Sequence, residues 1–207
     1  LAHGQHWQVC EERGRLVFQD ETGLLDLPMP QLIGAHQVRN AGAALAALRC
    51  LGFGDAACEA AMTDAAWPAR MQRLRHGPLI EAAGGAELWL DGGHNPAAGQ
   101  MIAEVLGARP PRPTPLLSAM LKTQAVAGFL RPRAASAAGL SAVSIPGEAA
   151  TRPAEETARI AVAVGHDAET ATDVTAAVRG IAARDPAARI LICGSLYLAG
   201  QVLRDNG

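Results

Sequence analysis

The sequence predicts an α/β protein built on a mostly parallel sheet with helices on both faces. Two features of the second half of the chain lead to this prediction. Short apolar runs alternate there with stretches of helical periodicity, which is the pattern of strand–helix–strand crossovers. The runs are also apolar on both faces, as expected of strands that helices cover on both sides. A smaller segment of different character precedes this sheet.

The smaller segment begins with strands. Polar and apolar residues alternate from Trp7 to Cys10 and from Arg15 to Gln19, which fits the two strands of a hairpin. Alanine and leucine then repeat at helical spacing from Asn40 to Leu51, and Gly52 closes this helix.

A second helix is expected to follow, with Asp55 as its N-terminal cap and its end near Ala66. Trp67 and Pro68 end it, because the residue before a proline disfavours the helical region. We therefore expect a domain boundary that separates residues 1–68 from residues 69–207.

The larger segment supplies the alternating pattern. Its predicted strands are Leu79 to Ala82, Glu87 to Leu90, Leu116 to Met120, Leu140 to Ile145 and Arg189 to Cys193. Its predicted helices are Ala97 to Leu106, Thr123 to Leu130, Ala154 to Val164 and Ala171 to Ala183.

Composition excludes several classes of function. The net charge is −2, and the basic residues form no long run, so nothing indicates binding of nucleic acid or of an anionic membrane surface. The four cysteines show no CxxC pair and no disulfide framework, and no apolar run reaches the roughly 20 residues that a membrane span needs. We expect a cytoplasmic protein with small-molecule partners.

The strongest local signal is the segment Asp91-Gly92-Gly93-His94-Asn95-Pro96, which follows an apolar strand and precedes a helix. In an open parallel sheet, ligands bind beyond the carboxyl ends of the strands, so Asp91 could accept from ribose hydroxyls and His94 could donate to a carboxylate or phosphate. The alternative is a plain strand-to-helix turn, in which Asn95 caps the helix and Pro96 takes its first position. Sequence alone leaves both open.

Three other segments carry polar residues in places that suit a ligand. Arg70, at the predicted domain junction, could reach a phosphate with its forked donors, or it could be a solvated surface group. The polar cluster from Gly34 to Asn40 could touch a base or only cap a helix. Ser195, in the turn after the last strand, could help to hold an anion at a helix N-terminus, whereas Cys193 beside it is expected in the core.

The histidines outside that segment give weak signals. His3 and His6 have a spacing that suits metal ligation but no third ligand, and we predict no metal site in the chain. His76 and His166 are expected on the surface. The Gly-x4-Gly-Lys-Ser/Thr pattern of a phosphate-binding loop does not occur.

The order and separation of four motifs resemble those of the folylpolyglutamate synthase/dihydrofolate synthase members of the Mur ligase superfamily. The motifs are Leu27-Pro28-Met29-Pro30-Gln31-Leu32-Ile33-Gly34-Ala35-His36-Gln37 with Asn40-Ala41, Trp67-Pro68-Ala69-Arg70-Met71-Gln72, Asp91-Gly92-Gly93-His94-Asn95-Pro96, and Cys193-Gly194-Ser195-Leu196-Tyr197-Leu198. The resemblance implies that residues 1–68 are the C-terminal fragment of a central Mur-ligase-type ATPase domain. It implies a Rossmann-like glutamate-ligase domain for residues 69–207.

The resemblance also implies a reaction. ATP phosphorylates the carboxylate of a folate or dihydropteroate, and the amine of L-glutamate attacks the resulting acyl phosphate. The family closes its N-terminal P-loop domain and its C-terminal domain over ATP, with Mg²⁺ held mainly by N-terminal residues. By the same resemblance, Asn40 is the adenine-side contact, Arg70 the phosphate-side contact and Asp91 the ribose contact, while His94 and Ser195 lie on the glutamate side. Arg70 and His94 are the candidate catalytic residues.

The chain departs from the family pattern in a few places. Ala69 stands where the family usually has glycine, and Gly93 stands where it usually has alanine. The Lys-Asp pair expected near Lys122 is absent. Because the chain starts at Leu1 and lacks a P-loop, we expect a C-terminal portion that is inactive alone. We also expect a monomer.

Two rival interpretations remain. An amino-acid-adding Mur ligase of peptidoglycan synthesis would typically show His-Asn in place of His36-Gln37 and Gly-Lys-Gly-His in place of Gly194 to Tyr197. A non-catalytic remnant that binds nucleotide or glutamate is the other alternative.

Overall fold

The computed structural model describes residues 1–206, and it divides the chain into two compact units, Leu1–Pro68 and the residues from Ala69 onwards. The second unit is a mixed α/β domain whose mostly parallel six-stranded sheet is flanked by helices. The predicted fold class is therefore confirmed. None of the helices in the described part of the chain is long and apolar enough to cross a membrane.

The first unit packs a three-stranded antiparallel sheet against two helices. Its elements are β1 (Trp7–Glu12), β2 (Arg15–Asp20), β3 (Gly23–Pro28), α1 (Ala35–Cys50) and α2 (Asp55–Thr63). Arg13 and Gly14 both have positive φ, 52° and 75°, which gives the β1–β2 hairpin the tight turn that matches strand twist. Leu16, Phe18 and Leu45 are fully buried in its core.

Some sequence predictions for this unit were wrong in detail. The segment from Gly23 pairs with β2 as a third strand, where two had been predicted. Helix α1 begins five residues before Asn40, so Asn40 lies in its second turn. Gly54 rather than Asp55 occupies the cap position of α2, and that helix ends at Thr63.

The second unit has the sheet order β4-β5-β9-β6-β7-β8, with only β4 antiparallel to its neighbour. Its strands are β4 (Gln72–Leu74), β5 (Glu87–Leu90), β6 (Leu116–Ser118), β7 (Leu140–Ala142), β8 (Ala168–Thr170) and β9 (Arg189–Cys193). Its helices are α3 (Pro78–Ala83), α4 (Pro96–Gly107), α5 (Val126–Leu130), α6 (Ala154–Ala163), α7 (Val174–Arg184) and α8 (Leu196–Asp205).

The strand predicted at Leu79 to Ala82 is wrong, because this segment is helix α3. Gly77 precedes it with φ 98°, Pro78 takes the first helical turn, and only Leu79 and Ala83 are buried. A segment of four residues, three of them apolar, fits a helix as well as a strand, so periodicity could not decide. The short strands β4 and β8 had not been predicted.

His166, predicted on the surface, is buried at 5% exposure. Its Nε2 lies 3.0 Å from the carbonyl oxygen of Leu130, and this contact ties the segment after α6 to the end of α5. His76 is exposed as predicted.

Candidate functional site

The carboxyl ends of β5 and β9 form the part of the sheet best placed to bind a ligand. The chain runs β5, β6, β7, β8 across the sheet and then returns to insert β9 beside β5. With right-handed crossovers, α4, α5 and α6 lie on one face and α7 on the other. The contacts of α4 with α5, α5 with α6 and α3 with α7 agree with this arrangement. A reversal of strand order of this kind opens a crevice at the carboxyl edge.

Arg70 stands at the apex of a strained turn beside this edge. Its neighbours Ala69 and Met71 both have left-handed φ, 55° and 43°, which non-glycine residues seldom adopt. The amide of Ala69 donates to Oε1 of Gln72 over 2.8 Å and so closes the turn. Strained backbone persists where the surrounding structure holds it, and such places cluster at functional sites.

Asp91 is the group that holds the turn. It follows β5 directly, is 1% exposed, and accepts from the amide of Met71 through Oδ2 at 2.9 Å. Its Oδ1 accepts from the amide of Gly93 at 2.7 Å. The amide of Gly92 in turn donates to the carbonyl of Ala69 at 2.8 Å. The turn that carries Arg70 and the loop after β5 are therefore one hydrogen-bonded structure.

Two glycines let these segments approach one another. A Cβ atom on Gly92 would lie 2.4 Å from Cδ2 of Leu196, and one on Gly93 would lie 2.8 Å from Oδ1 of Asp91. The carbonyl of Gly93 accepts from the amide of Gly194 over 3.0 Å, which joins the loops after β5 and β9. Close packing, rather than positive φ, explains glycine at positions 92 and 93.

His94 is half-buried, with Nδ1 2.9 Å from the carbonyl oxygen of Gly92. A carbonyl only accepts, so Nδ1 carries the proton and Nε2 is the nitrogen left for a ligand. Asn95 accepts from the amide of Ala98 at 2.9 Å, and Pro96 takes the first position of α4. The segment therefore has the capped strand-to-helix turn that one interpretation predicted. That turn also orients His94.

Ser195 is fully buried, and its Oγ accepts from the amide of Tyr197 over 3.1 Å as the cap of α8. Gly194 before it has φ 111°, and a Cβ atom there would lie 2.5 Å from Oγ of Ser118. In this conformation the Ser195 hydroxyl caps α8 and is not exposed. The side chains of Leu196 and Tyr197, which follow it, are exposed.

The guanidinium of Arg70 is half-buried, and Nη1 lies 3.5 Å from the position that a Cβ on Gly92 would take. Within residues 1–206 it has no hydrogen-bond or ion-pair partner. The structure thus brings Arg70, Asp91 and His94 into one cluster of loops.

Asn40 belongs to the first unit. It is exposed on α1, and its side-chain amide donates to Oε1 of the buried Gln37 over 2.9 Å.

Cys193 lies beneath the site and belongs to the core, as predicted, at 1% exposure. Burial and the nearby charge of Asp91 raise the pKa of its thiol far above the ordinary value, although Arg133 partly opposes this. A thiol in this state is not a nucleophile at neutral pH. No group of three or more His, Cys, Asp or Glu side chains within the described residues could hold a metal ion.

The fold and the site together define an α/β domain with a candidate ligand site at the switch point of a mostly parallel sheet. No protein-family model matches the chain, and a search of curated proteins finds no match.

Solved structures do match, and several of them are folylpolyglutamate synthases. Escherichia coli FolC in complex with DHPP and ADP has a TM-score of 0.79 and 24% identity, over 98% of this chain and 46% of that chain. Mycobacterium tuberculosis folylpolyglutamate synthase complexed with ADP and AMPPCP has a TM-score of 0.78 and 23% identity, over 99% of this chain and 49% of that chain.

A third match is the bifunctional folylpolyglutamate synthase/dihydrofolate synthase from Yersinia pestis, solved with AMPPNP and Mn. It has a TM-score of 0.78 and 22% identity, over 98% of this chain and 46% of that chain. The chain spans about half the length of these enzymes and has the fold of their C-terminal part.

Proposed function

We propose that this chain is the C-terminal portion of an ATP-dependent folate:L-glutamate ligase that acts through an acyl phosphate. The observation that carries the proposal is the presentation of Arg70. A strained turn, fixed by the buried Asp91, holds a guanidinium that has no partner among residues 1–206 at the switch point of the sheet. A forked, permanently charged donor held in this way suits phosphate.

The ligands of the structural neighbours support the same chemistry. Escherichia coli FolC was solved with ADP and DHPP, and a bifunctional folylpolyglutamate synthase/dihydrofolate synthase was solved with Mn, AMPPNP and L-glutamate. By this proposal, the protein of which this chain is a portion binds ATP, L-glutamate and a folate or dihydropteroate.

The proposed reaction has two steps. An oxygen of the folate carboxylate attacks the γ-phosphorus of ATP, the bond to the bridging oxygen breaks, and ADP leaves. The deprotonated amine of glutamate then attacks the acyl carbon, the carbon–oxygen bond to phosphate breaks, and phosphate leaves as the amide forms. Because an acyl phosphate hydrolyses readily, the site must exclude water while it aligns amine and carbonyl.

The residues take separate roles in this scheme. Arg70 contacts the phosphates and offsets the charge that gathers there during transfer. His94 acts on the glutamate side, where its Nε2, oriented through Nδ1 and Gly92, accepts the proton of the ammonium group or binds a carboxylate when protonated. Asp91 holds Arg70 in place. Its contact with ribose requires a movement that exposes the carboxylate, which is 1% exposed here.

The proposal assigns three further contacts, to the adenine, to the glutamate and to Mg²⁺. Asn40, exposed on α1, contacts the adenine, and the turn around Ser195 lies on the glutamate side through its backbone rather than the buried hydroxyl. When bound with ATP, Mg²⁺ neutralises phosphate charge, and we propose that its protein ligands lie mainly in the region of the longer enzyme that this chain does not span.

We further propose that the chain is cytoplasmic and monomeric. We also propose that it does not turn over substrate by itself, since its sequence contains no phosphate-binding loop.

Calorimetric titration of the chain with ATP, ADP and glutamate tests the proposal. The expected result is weak ADP or glutamate binding, with ADP binding lost in Arg70→Gln and Asp91→Ala. Arg75→Gln is the matched control, because Arg75 is exposed nearby and has no ion pair within residues 1–206. Equal ADP binding by Arg70→Gln and Arg75→Gln would contradict the assignment of Arg70, and ligase turnover by the chain alone would contradict its predicted inactivity.

A further inference from the structure

Four arginines gather at the amino ends of β5 and β9, the end of the sheet opposite the candidate ligase site. This arginine cluster consists of Arg73, Arg109, Arg112 and Arg189. Arg189 opens β9, Arg73 lies in β4, and the other two follow α4. Three of the four form ion pairs with the same carboxylate, that of Glu87 at the start of β5.

Glu87 is already saturated by these contacts. Its Oε1 lies 3.1 Å from Nη2 of Arg73 and 3.0 Å from Nη1 of Arg112. Its Oε2 lies 3.2 Å from Nε1 of Trp89 and 3.5 Å from Nε of Arg189. Each carboxylate oxygen thus has two donors, so it has little capacity for more.

Arg109 adds a charge that forms no ion pair within residues 1–206. Its guanidinium carbon lies 4.3 Å from the centroid of the Trp89 ring, a cation–π contact, and its buried Nε has no partner within residues 1–206. Burial and then repulsion from Arg189 lower the pKa of this guanidinium, although Glu87 partly opposes them. Arg109 thus lies near Arg189 and Arg73 and forms no ion pair within residues 1–206.

The surplus is large in charge and in hydrogen-bond donors. Four arginines against one glutamate leave three positive charges uncompensated within the described residues. Each guanidinium carries five donors, so the cluster offers roughly twenty. Among the residues that the structure describes, only Glu87 and the carbonyl of Pro110 accept from any of them. Repulsion within such a group is costly unless an anion joins it.

We propose that the arginine cluster binds a compact anion with at least two negative charges, carried on phosphate or on neighbouring carboxylates. The side chains of Arg73 and Arg112 are 41% and 37% exposed, so a ligand can reach them. Arg189, at 8%, provides a fixed base. Oxyanions of either kind match the paired donors of guanidinium groups. This site is separate from the proposed ligase function and does not depend on it.

Calorimetric titration of the whole chain with pyrophosphate and with γ-linked triglutamate tests this site, at constant ionic strength. The double variant Arg73→Gln, Arg112→Gln removes two exposed charges and is expected to weaken binding about tenfold or more. Arg179→Gln, which removes an exposed arginine from α7, is expected to change affinity by less than about twofold.

The two anions identify the source of the charge. Stronger binding of pyrophosphate indicates a phosphate ligand, and stronger binding of triglutamate indicates an oligocarboxylate; either supports the site. Binding should persist in Arg70→Gln, so the ligase proposal can fail without affecting this test. If neither anion binds, or if the double variant binds as tightly as Arg179→Gln, the proposal is overturned. Unfolding in urea confirms that each variant is folded.

Discussion

The amide of Met71 donates to Oδ2 of Asp91 over 2.9 Å, and this bond fixes the turn that carries Arg70 to the end of β5. The same buried carboxylate also accepts from the amide of Gly93, so it bonds to the backbone of both the turn and the loop after β5. Together with the bond from the amide of Gly92 to the carbonyl of Ala69, it holds the two segments against each other.

Asp91→Asn is predicted to destabilise the protein even though the two side chains have nearly the same shape. The amide nitrogen that replaces one oxygen cannot accept, so the amide of Met71 or of Gly93 loses its partner in a buried place. The free energy of unfolding in urea should fall by about 1–3 kcal/mol. The control Asp205→Asn, at a side chain 60% exposed, should stay within about 0.5 kcal/mol. Equal stability of the two variants would contradict the role given to Asp91.

Gly99→Ala and Gly180→Ala are predicted to have opposite effects. A Cβ atom on Gly99 of α4 would lie 2.2 Å from the backbone oxygen of Phe129, which cannot move away as a side chain can. Gly180 of α7 has nothing within 4 Å. Gly99→Ala should cost about 1–3 kcal/mol or more, and Gly180→Ala should stabilise by about 0.5–1 kcal/mol. Thermal unfolding of the pair measures both, and stabilisation by Gly99→Ala would show that α4 and α5 do not pack as described.

The sequence located the loop at residues 91–96 better than it predicted the full set of strands. The 91–96 segment could be placed after a strand and before a helix because both flanking patterns are strong. In contrast, β4 and β8 have three residues each, and β8 is mostly exposed, so neither contains an apolar run.

Other features depend on contacts that no local pattern encodes. The family resemblance showed that Ala69 replaces a usual glycine, but only the structure shows the reason for that preference, a φ of 55°. The arginine cluster joins residues from positions 73 to 189, and their proximity follows from the insertion of β9 beside β5.

The four cysteines are predicted to differ in reactivity. Cys50 and Cys10 are exposed, whereas Cys58 and Cys193 are buried. The pKa of the Cys10 thiol is raised by desolvation, by its hydrogen bond to Glu12 and by the negative charge of Glu12. At pH 8, a smaller fraction of Cys10 is therefore thiolate than its ordinary pKa would give. Peptide mapping after iodoacetamide treatment of the native protein should show Cys50 labelled first and Cys10 more slowly. Cys58 and Cys193 should react only after denaturation, and native labelling of Cys193 would contradict its place in the core.

Glu87 is predicted to stabilise the folded protein at neutral pH and to lose this effect as the pH becomes acidic. Burial alone would raise the pKa of its carboxyl, but the Trp89 hydrogen bond and the charges of Arg73, Arg112 and Arg189 lower it below the ordinary 4.5. Because the carboxyl has a lower pKa in the folded protein than in the unfolded chain, its charged form stabilises the fold at pH values above the unfolded pKa. This stabilisation is lost as the pH falls through the folded pKa.

The matching measurement is the difference in unfolding free energy between wild type and Glu87→Gln. That difference should be largest near neutral pH and should shrink as pH falls from about 5 to about 3. Glu104→Gln, at an exposed position of α4, should show no such trend. A constant difference for Glu87→Gln would mean that its arginine contacts do not stabilise the charged form.

The proposed function places nucleotide where the turn at residues 69–72 meets the loop at residues 91–95. Titration of isotope-labelled protein with ADP, followed by amide chemical shifts, locates the bound nucleotide. The largest shift changes should fall in these two segments and should disappear in Arg70→Gln. Changes confined to other parts of the chain, or none at saturating ADP, would contradict it.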